Sequence, residues 1–174
     1  MTDFPMLRLP AEDGAISFAR NFVKSDAFMQ LFREGMGLVE STANYLDGDG
    51  RQESAALPRE VSLIYATESM RLTTRLMQIA SWLLVQRAVA EGEMTAEQAR
   101  TENNKVRIAE PMLQPTSAEA ARLPERLRDL IAHSMRLQDR ISRIETQMTA
   151  APATAANPVR GQLANLQARL ALQG

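Results

Sequence analysis

The 174 residues of this chain suit one domain with an appendage and are enough to bury a hydrophobic core. Apolar residues make up 45% and charged residues 24%, which is ordinary for a soluble globular protein and excludes disorder or membrane insertion for most of the length. A formal charge of −1 gives phosphate backbones no attraction, so nucleic acid is not expected as a partner, and the lack of cysteine excludes disulfides and suits a reducing cytoplasm.

The beginning of the chain, MTDFPMLRLPAEDG, has no basic cluster followed by an apolar run, so we expect no secretion signal. We interpret residues 1–16 as an N-terminal extension, 17–149 as a helical bundle and 150–174 as a flexible tail with a short apolar segment. Apolar residues recur every three or four positions nearly everywhere, and no stretch alternates with a period of two. The sequence therefore predicts an all-α protein.

The first long helix is predicted to begin after Ser25, a favourable N-cap, and to end at the sequence DGDG, where glycine tolerates a left-handed C-cap. Gly35 and Gly37 stand inside this helix, where close helix packing is the simplest explanation. Its predicted apolar stripe consists of Phe28, Phe32, Met36, Val39, Ala43 and Leu46.

A second long helix is predicted from about Pro58 to Ala90, where EGEM interrupts it, and Thr95 and Gln98 have capping-box spacing for a short connecting helix. Pro111 and Pro115 then break the chain. In the third long helix a seam alternates in steps of four and three: Leu123, Leu127, Leu130, Ser134, Leu137, Ile141, Ile144 and Met148. The fold predicted is a three-helix bundle with antiparallel long helices.

The second long helix is apolar on two sides. One stripe contains Val61, Tyr65, Leu72, Leu76, Ile79 and Leu83, and the other contains Leu63, Met70, Met77 and Leu84 at seven-residue spacing. A membrane span is excluded because Arg75 and Arg87 leave only about eleven residues between charges, where roughly twenty are needed. Two explanations stay open for the second stripe. Either the helix contacts two neighbours in its own bundle, or the second stripe binds a second copy or a partner.

The tail begins with AAPATAANP, a small, uncharged segment that buries too little apolar surface to become ordered by itself. Beyond it, one face of a marginal helix contains Val159, Leu163, Leu166 and Leu170. Either this face binds a partner, with Arg160 and Arg169 favouring an acidic surface, or the segment docks on its own bundle as a cap.

Motifs for catalysis, cofactors and metals are missing from the sequence. The single histidine, His133, cannot supply the paired ligands of a zinc or di-iron site and is interpreted as an ordinary helix residue. The sequence DGDGR fails the calcium-loop template, because Arg51 and Gln52 occupy a ligand position and the turn-glycine position. We therefore predict no enzyme activity, no cofactor and no metal.

Two charged features remain. Glu68 is expected to pair with Arg71 or Arg75 on the same helix, the alternative being a buried acid with a function. On the third helix, basic residues lie beside the seam, with acidic residues interleaved, which predicts a solvated mixed-charge face or a docking strip for an acidic partner. This basic strip consists of Arg136, Arg140 and Arg143.

Two stretches, SDAFMQLFREGMGLVESTANYLDGDGR and ESMRLTTRLMQIASWLLVQRAVAEGEMT, closely resemble the RcdA family, the regulators of CtrA degradation in alphaproteobacteria. The resemblance covers roughly Ser17 to Thr95 and extends to the third helix by pattern. It implies a homodimeric three-helix bundle with a mobile C-terminal tail and no catalytic activity.

The resemblance also implies a function and partners. The family acts as an adaptor that joins the ClpXP protease after the response regulator CpdR has primed it, and brings cargo such as CtrA, the latter with the cyclic-di-GMP receptor PopA. The location implied is the cytoplasm, with recruitment to a cell pole. The alternative function is a helical regulatory protein that sequesters a transcription factor or a polar scaffold without proteolysis.

Overall fold

The structure, a computed structural model, describes residues 21–106 and 116–149. These residues form helices and contain no strand, which confirms the all-α prediction. The predicted N-terminal extension and tail lie outside the described residues. In chain order the helices are α1 (Asp26–Asp47), α2 (Asp49–Ala56), α3 (Arg59–Glu91), α4 (Ala96–Val106), α5 (Ser117–Ala120) and α6 (Glu125–Thr149).

Several helix ends lie where the sequence predicts them. The Ser25 hydroxyl accepts a hydrogen bond from the Phe28 backbone N–H at 3.3 Å and caps α1. Thr95 and Gln98 form the predicted capping box of α4, with their side chains accepting from each other's backbone N–H at 3.2 and 2.9 Å. Gly92 ends α3 in the left-handed conformation, with φ 77°.

The turn at DGDG differs from the prediction. Gly48 ends α1 with φ −108°, so the expected left-handed cap is wrong, and the short helix α2 follows directly. Glycine is required near this turn for space instead. A Cβ on Gly50 would lie 2.6 Å from the Tyr65 hydroxyl, which donates to the Gly50 carbonyl at 3.0 Å. The Tyr45 hydroxyl donates to Glu53 at 2.6 Å, so two tyrosines fasten α2 to the end of the bundle.

The long helices do not all alternate in direction. Near the N-terminal end of α3, Glu60 lies 3.9 Å from Arg122, just before α6. Further along α3, Arg75 donates to Ser134 and Gln138 of α6, at 3.1 Å each. Since both helices advance together between these contacts, α3 and α6 run in the same direction, and the antiparallel arrangement holds only for α1 against the other two.

The reason for the shared direction is the connection between α3 and α6. It contains α4, which packs against α3 and buries Ala99, and α5, which also contacts α3. After α5, α6 begins level with the start of α3, where Arg122 lies near Glu60. No helix of the described residues is long and apolar enough to cross a membrane.

The core lies between α1, α3 and α6. The predicted α6 seam faces it, with Leu127, Ser134 and Leu137 fully buried. The most buried face of α1 differs from the predicted stripe, because it includes the small residue Gly35 and the polar residue Thr42. The residues of this face are Phe28, Leu31, Gly35, Leu38, Thr42 and Tyr45. Of the other predicted α1 residues, Phe32, Met36, Val39 and Leu46 lie half-buried on the flank, and Ala43 is exposed.

Candidate interaction surface

The second apolar stripe of α3 lies on the side opposite the core and is exposed to solvent. Its four residues, called the α3 stripe below, expose 71% (Leu63), 71% (Met70), 66% (Met77) and 53% (Leu84) of their surface. On the opposite side of the same helix, Leu72 and Leu83 are completely buried. The helices that the structure describes therefore leave the α3 stripe uncovered.

Small and hydroxyl residues fill the spaces of this face. Ala66 and Ala80 are the smallest of them. The hydroxyls of Thr67, Thr73 and Thr74 each donate to the backbone carbonyl four residues earlier, at 2.9–3.0 Å. Because these donors are satisfied within the helix, covering the face would leave none of the three hydroxyl hydrogens without a partner.

Charged side chains in the middle of α3 lie on its buried side. Glu68 is 8% exposed and accepts a hydrogen bond from Arg71, so the predicted ion pair is present. Arg75 is 6% exposed and is held by Ser134 and Gln138 of α6. The exposed face therefore presents a long charge-free apolar surface, which is typical of a protein-binding site.

The basic strip of α6 is at the surface, as predicted. Arg136, Arg140 and Arg143 are all exposed. Arg140 is engaged within the chain, because it donates to Glu34 of α1 at 2.6 Å. Arg136 and Arg143 present their charges to solvent, so the strip offers an acidic partner two arginines beside a third that is already paired.

Glu34 of α1 connects that helix to α6. Its second carboxylate oxygen lies 3.0 Å from His133 Nε2, so one α1 side chain binds two α6 side chains. Burial by itself would raise the pKa of Glu34, but the hydrogen bonds and charges of His133 and Arg140 outweigh it and hold the pKa below its ordinary value. His133 is a helix residue, as predicted, and it also makes a specific contact between α6 and α1.

Replacing Glu34 with glutamine should lower the free energy of unfolding by about 1 kcal/mol at neutral pH, because the partly exposed charged contacts are lost. The folded-state pKa is lowered, so this stabilisation is present above the ordinary glutamate pKa and disappears as the pH falls through the folded-state value. Urea titrations of both proteins from neutral to acid pH measure the difference. Glu40→Gln, an exposed change on the same helix, is the control. A pH-independent difference would contradict the contact.

The remaining sequence predictions concern chemistry and the tail. Within the described ranges, no group of three histidine, aspartate or glutamate side chains is placed to hold a metal ion. The predicted tail contacts, Val159, Leu163, Leu166 and Leu170, lie outside the described residues, as do Arg160 and Arg169. The surfaces that the structure places are thus the α3 stripe and the basic strip.

Two comparisons with known proteins identify similar chains. Residues 19–170 match a family described as "Protein of unknown function (DUF1465)". The crystal structure of RcdA from Caulobacter crescentus CB15 is 48% identical in sequence and superposes with a TM-score of 0.60. The match covers 74% of this chain and 96% of the RcdA chain. No curated protein sequence gives a match.

Proposed function

We propose that this chain, which belongs to the RcdA family, is a non-catalytic adaptor that helps deliver cell-cycle regulatory proteins to a protease. The observation that carries the proposal is the 48% identity to RcdA over nearly the whole length of that protein. The α3 stripe and the basic strip support the proposal, because both are exposed surfaces that a partner could contact. Among the described residues there is no group of side chains placed to bind a metal ion.

The specific form of the proposal names the partners. The protease is ClpXP primed by CpdR, the cargo is a regulator such as CtrA, and PopA assists with that cargo. The adaptor acts as a homodimer in the cytoplasm, with recruitment to a cell pole. Similarity to RcdA supports these partners, and the exposed apolar α3 stripe supports self-association.

An adaptor must bind protease and cargo at the same time, which requires separate surfaces on one molecule. The α3 stripe and the basic strip lie on different helices, and a flexible tail would add a third contact. Tethering through a short linker raises the local concentration of a bound partner to about millimolar, which favours delivery of weakly bound cargo.

Degradation of CtrA by purified ClpXP, CpdR and PopA, with and without this protein, tests the proposal. An adaptor accelerates the loss of CtrA in an ATP-dependent reaction. The alternative, a protein that sequesters a regulator without proteolysis, binds CtrA and leaves its lifetime unchanged or longer. A general substrate of ClpXP that needs no adaptor serves as the control, because its degradation should not change.

Truncation after Ala150 should abolish delivery of CtrA and leave the melting curve unchanged, because we propose that residues 151–174 form a tether with an apolar contact face. If the tail instead caps its own bundle, its removal should cost on the order of 2 kcal/mol by the apolar area exposed. Thermal unfolding and CtrA degradation are measured on the same preparations. Full activity in the truncated protein, or a melting temperature several degrees lower, would contradict the tether.

A further inference from the structure

We propose that three charged residues on the exposed face of α6 form a docking site for a helix of a different protein. Arg136, Asp139 and Arg143, called the α6 triplet below, are all exposed. The proposal deepens the adaptor function, on which it rests, by naming the chemistry of a partner. That partner presents an acidic, a basic and an acidic side chain on one face of a helix, opposite the basic, acidic and basic members of the triplet.

The spacing of the α6 triplet places its three charges in one row. Asp139 follows Arg136 by three residues and precedes Arg143 by four, so the members share one face of the helix and the two arginines lie about 10 Å apart along its axis. Ion pairs form within helices at these spacings. Among the described residues, however, none of the three side chains takes part in an ion pair. All three charges are therefore open to another molecule.

A helix of this chain already binds α6 through the same kind of contact. His133 and Arg140 are seven residues apart, and both bind Glu34 of α1, at 3.0 and 2.6 Å. One carboxylate on a neighbouring helix thus reaches cations of α6 that are two turns apart. Arg136 and Arg143 repeat the seven-residue spacing further round the helix from α1, where they are exposed. A second helix with suitably placed acidic residues therefore fits beside α6 in the way that α1 does.

The order of the charges determines which helix fits. In coiled coils, charges beside the seam select the partner, because like charges repel one another. Asp139 lies between the two arginines, so it repels the uniformly negative phosphates of nucleic acid and favours a basic side chain at the centre of the partner. The complement of the triplet is thus two acidic residues seven positions apart, with a basic residue three or four positions after the first.

This chain does not contain the complementary pattern. Acidic residues stand seven positions apart at two places in the sequence, Glu40 with Asp47 and Glu53 with Glu60. In both, the positions three and four residues after the first acid hold uncharged residues, and residues 150–174 contain no acid at all. A second copy or the tail therefore lacks the charges that satisfy the whole triplet, and the occupant is a different protein.

NMR titration of the full chain with designed peptides tests the charge order. The probes are helical peptides of about 20 residues. One set carries Glu, Lys and Glu at the complementary spacing, and the other carries Lys, Glu and Lys. In each set the central residue stands three positions after the first for a parallel helix, or four for an antiparallel one. At low ionic strength a Glu–Lys–Glu peptide should shift the backbone amide signals of residues 136–143, and the inverted peptides should not.

Inverting the triplet should invert the preference. The triple variant Arg136→Glu, Asp139→Lys, Arg143→Glu should bind the Glu–Lys–Glu peptide about tenfold more weakly and should bind a Lys–Glu–Lys peptide instead. Arg100→Glu, a charge reversal at an exposed residue of α4, is the control and should change neither affinity.

Three results would each overturn the inference: equal binding of the two peptide sets, no shift in α6, or equal shifts with duplex DNA. The titration contains neither protease nor CtrA, so these results leave the degradation test of the adaptor intact. Failure to stimulate CtrA degradation would overturn only the adaptor proposal.

Discussion

Met77→Asp should convert the proposed homodimer into a helical monomer. Met77 is 66% exposed in one chain and lies in the middle of the α3 stripe, so the substitution should leave the bundle intact and place a carboxylate inside the interface. Burying an unpaired charge on each copy costs several kcal/mol, which should raise the dissociation constant roughly 100-fold or more. Light scattering measures the mass, and circular dichroism measures the helix content.

Met135→Asp is the matched control for this experiment. Met135 is an exposed methionine in the middle of α6, 41% exposed, and lies outside the α3 stripe. It carries the same loss of helix propensity and the same added charge, but the protein should remain dimeric. An unchanged dimer in Met77→Asp would place the interface elsewhere than on the α3 stripe, and an unfolded chain would show that Met77 belongs to the core and not to an interface.

The sequence was sufficient to predict the features that depend on local spacing. The cap at Ser25 and the capping box at Thr95 arise from contacts within four residues, so the sequence contains all of the information. The α6 seam was also predicted, because every large residue that it contains is aliphatic and the one polar member, Ser134, keeps the spacing.

The direction of α6 depends on a longer part of the chain. Three helices joined by short turns would alternate in direction, and this expectation fails because the connection between α3 and α6 contains α4. The bridge from Glu34 to His133 and Arg140 joins residues 99 and 106 positions apart. No spacing rule links such distant residues, so only the packed structure brings them together.

The α3 stripe shows that a correctly predicted apolar face can still be either buried in its own bundle or exposed for a partner. Seven-residue spacing places Leu63, Met70, Met77 and Leu84 on one face, whether that face is buried or exposed. Only the positions of α1, α4 and α6 decide which of these holds, and all three leave this face uncovered. The sequence therefore predicts which residues share this face, whereas only the tertiary structure shows that the face is exposed.

The buried face of α1 was missed for a different reason. A stripe defined by large apolar residues alone leaves out Gly35 and Thr42, which occupy two positions of the core face. At Gly35 an added Cβ would overlap the end of the Leu83 side chain, so a contact of the core depends on the absence of a side chain.

Gly35→Ala should therefore lower the free energy of unfolding by about 1–3 kcal/mol, even though alanine is the better helix former. Leu83 is fully buried, so the end of its side chain must shift within the core to admit the methyl, whereas Ile79 and Leu137 would lie at ordinary contact distances of 3.6 and 3.8 Å. Gly37→Ala is the matched control, because no atom lies within 4 Å of its Cβ position.

Gly37→Ala should gain about 0.5–1 kcal/mol, since it removes backbone freedom from the unfolded chain and causes no overlap. Guanidinium titrations of both variants at one fixed protein concentration separate these opposite signs from any effect of dimerisation. The two glycines are two residues apart in the same helix, so their intrinsic helix propensities cancel in the comparison. Equal stability of the two variants would mean that α1 and α3 are not held at the close separation that Gly35 permits.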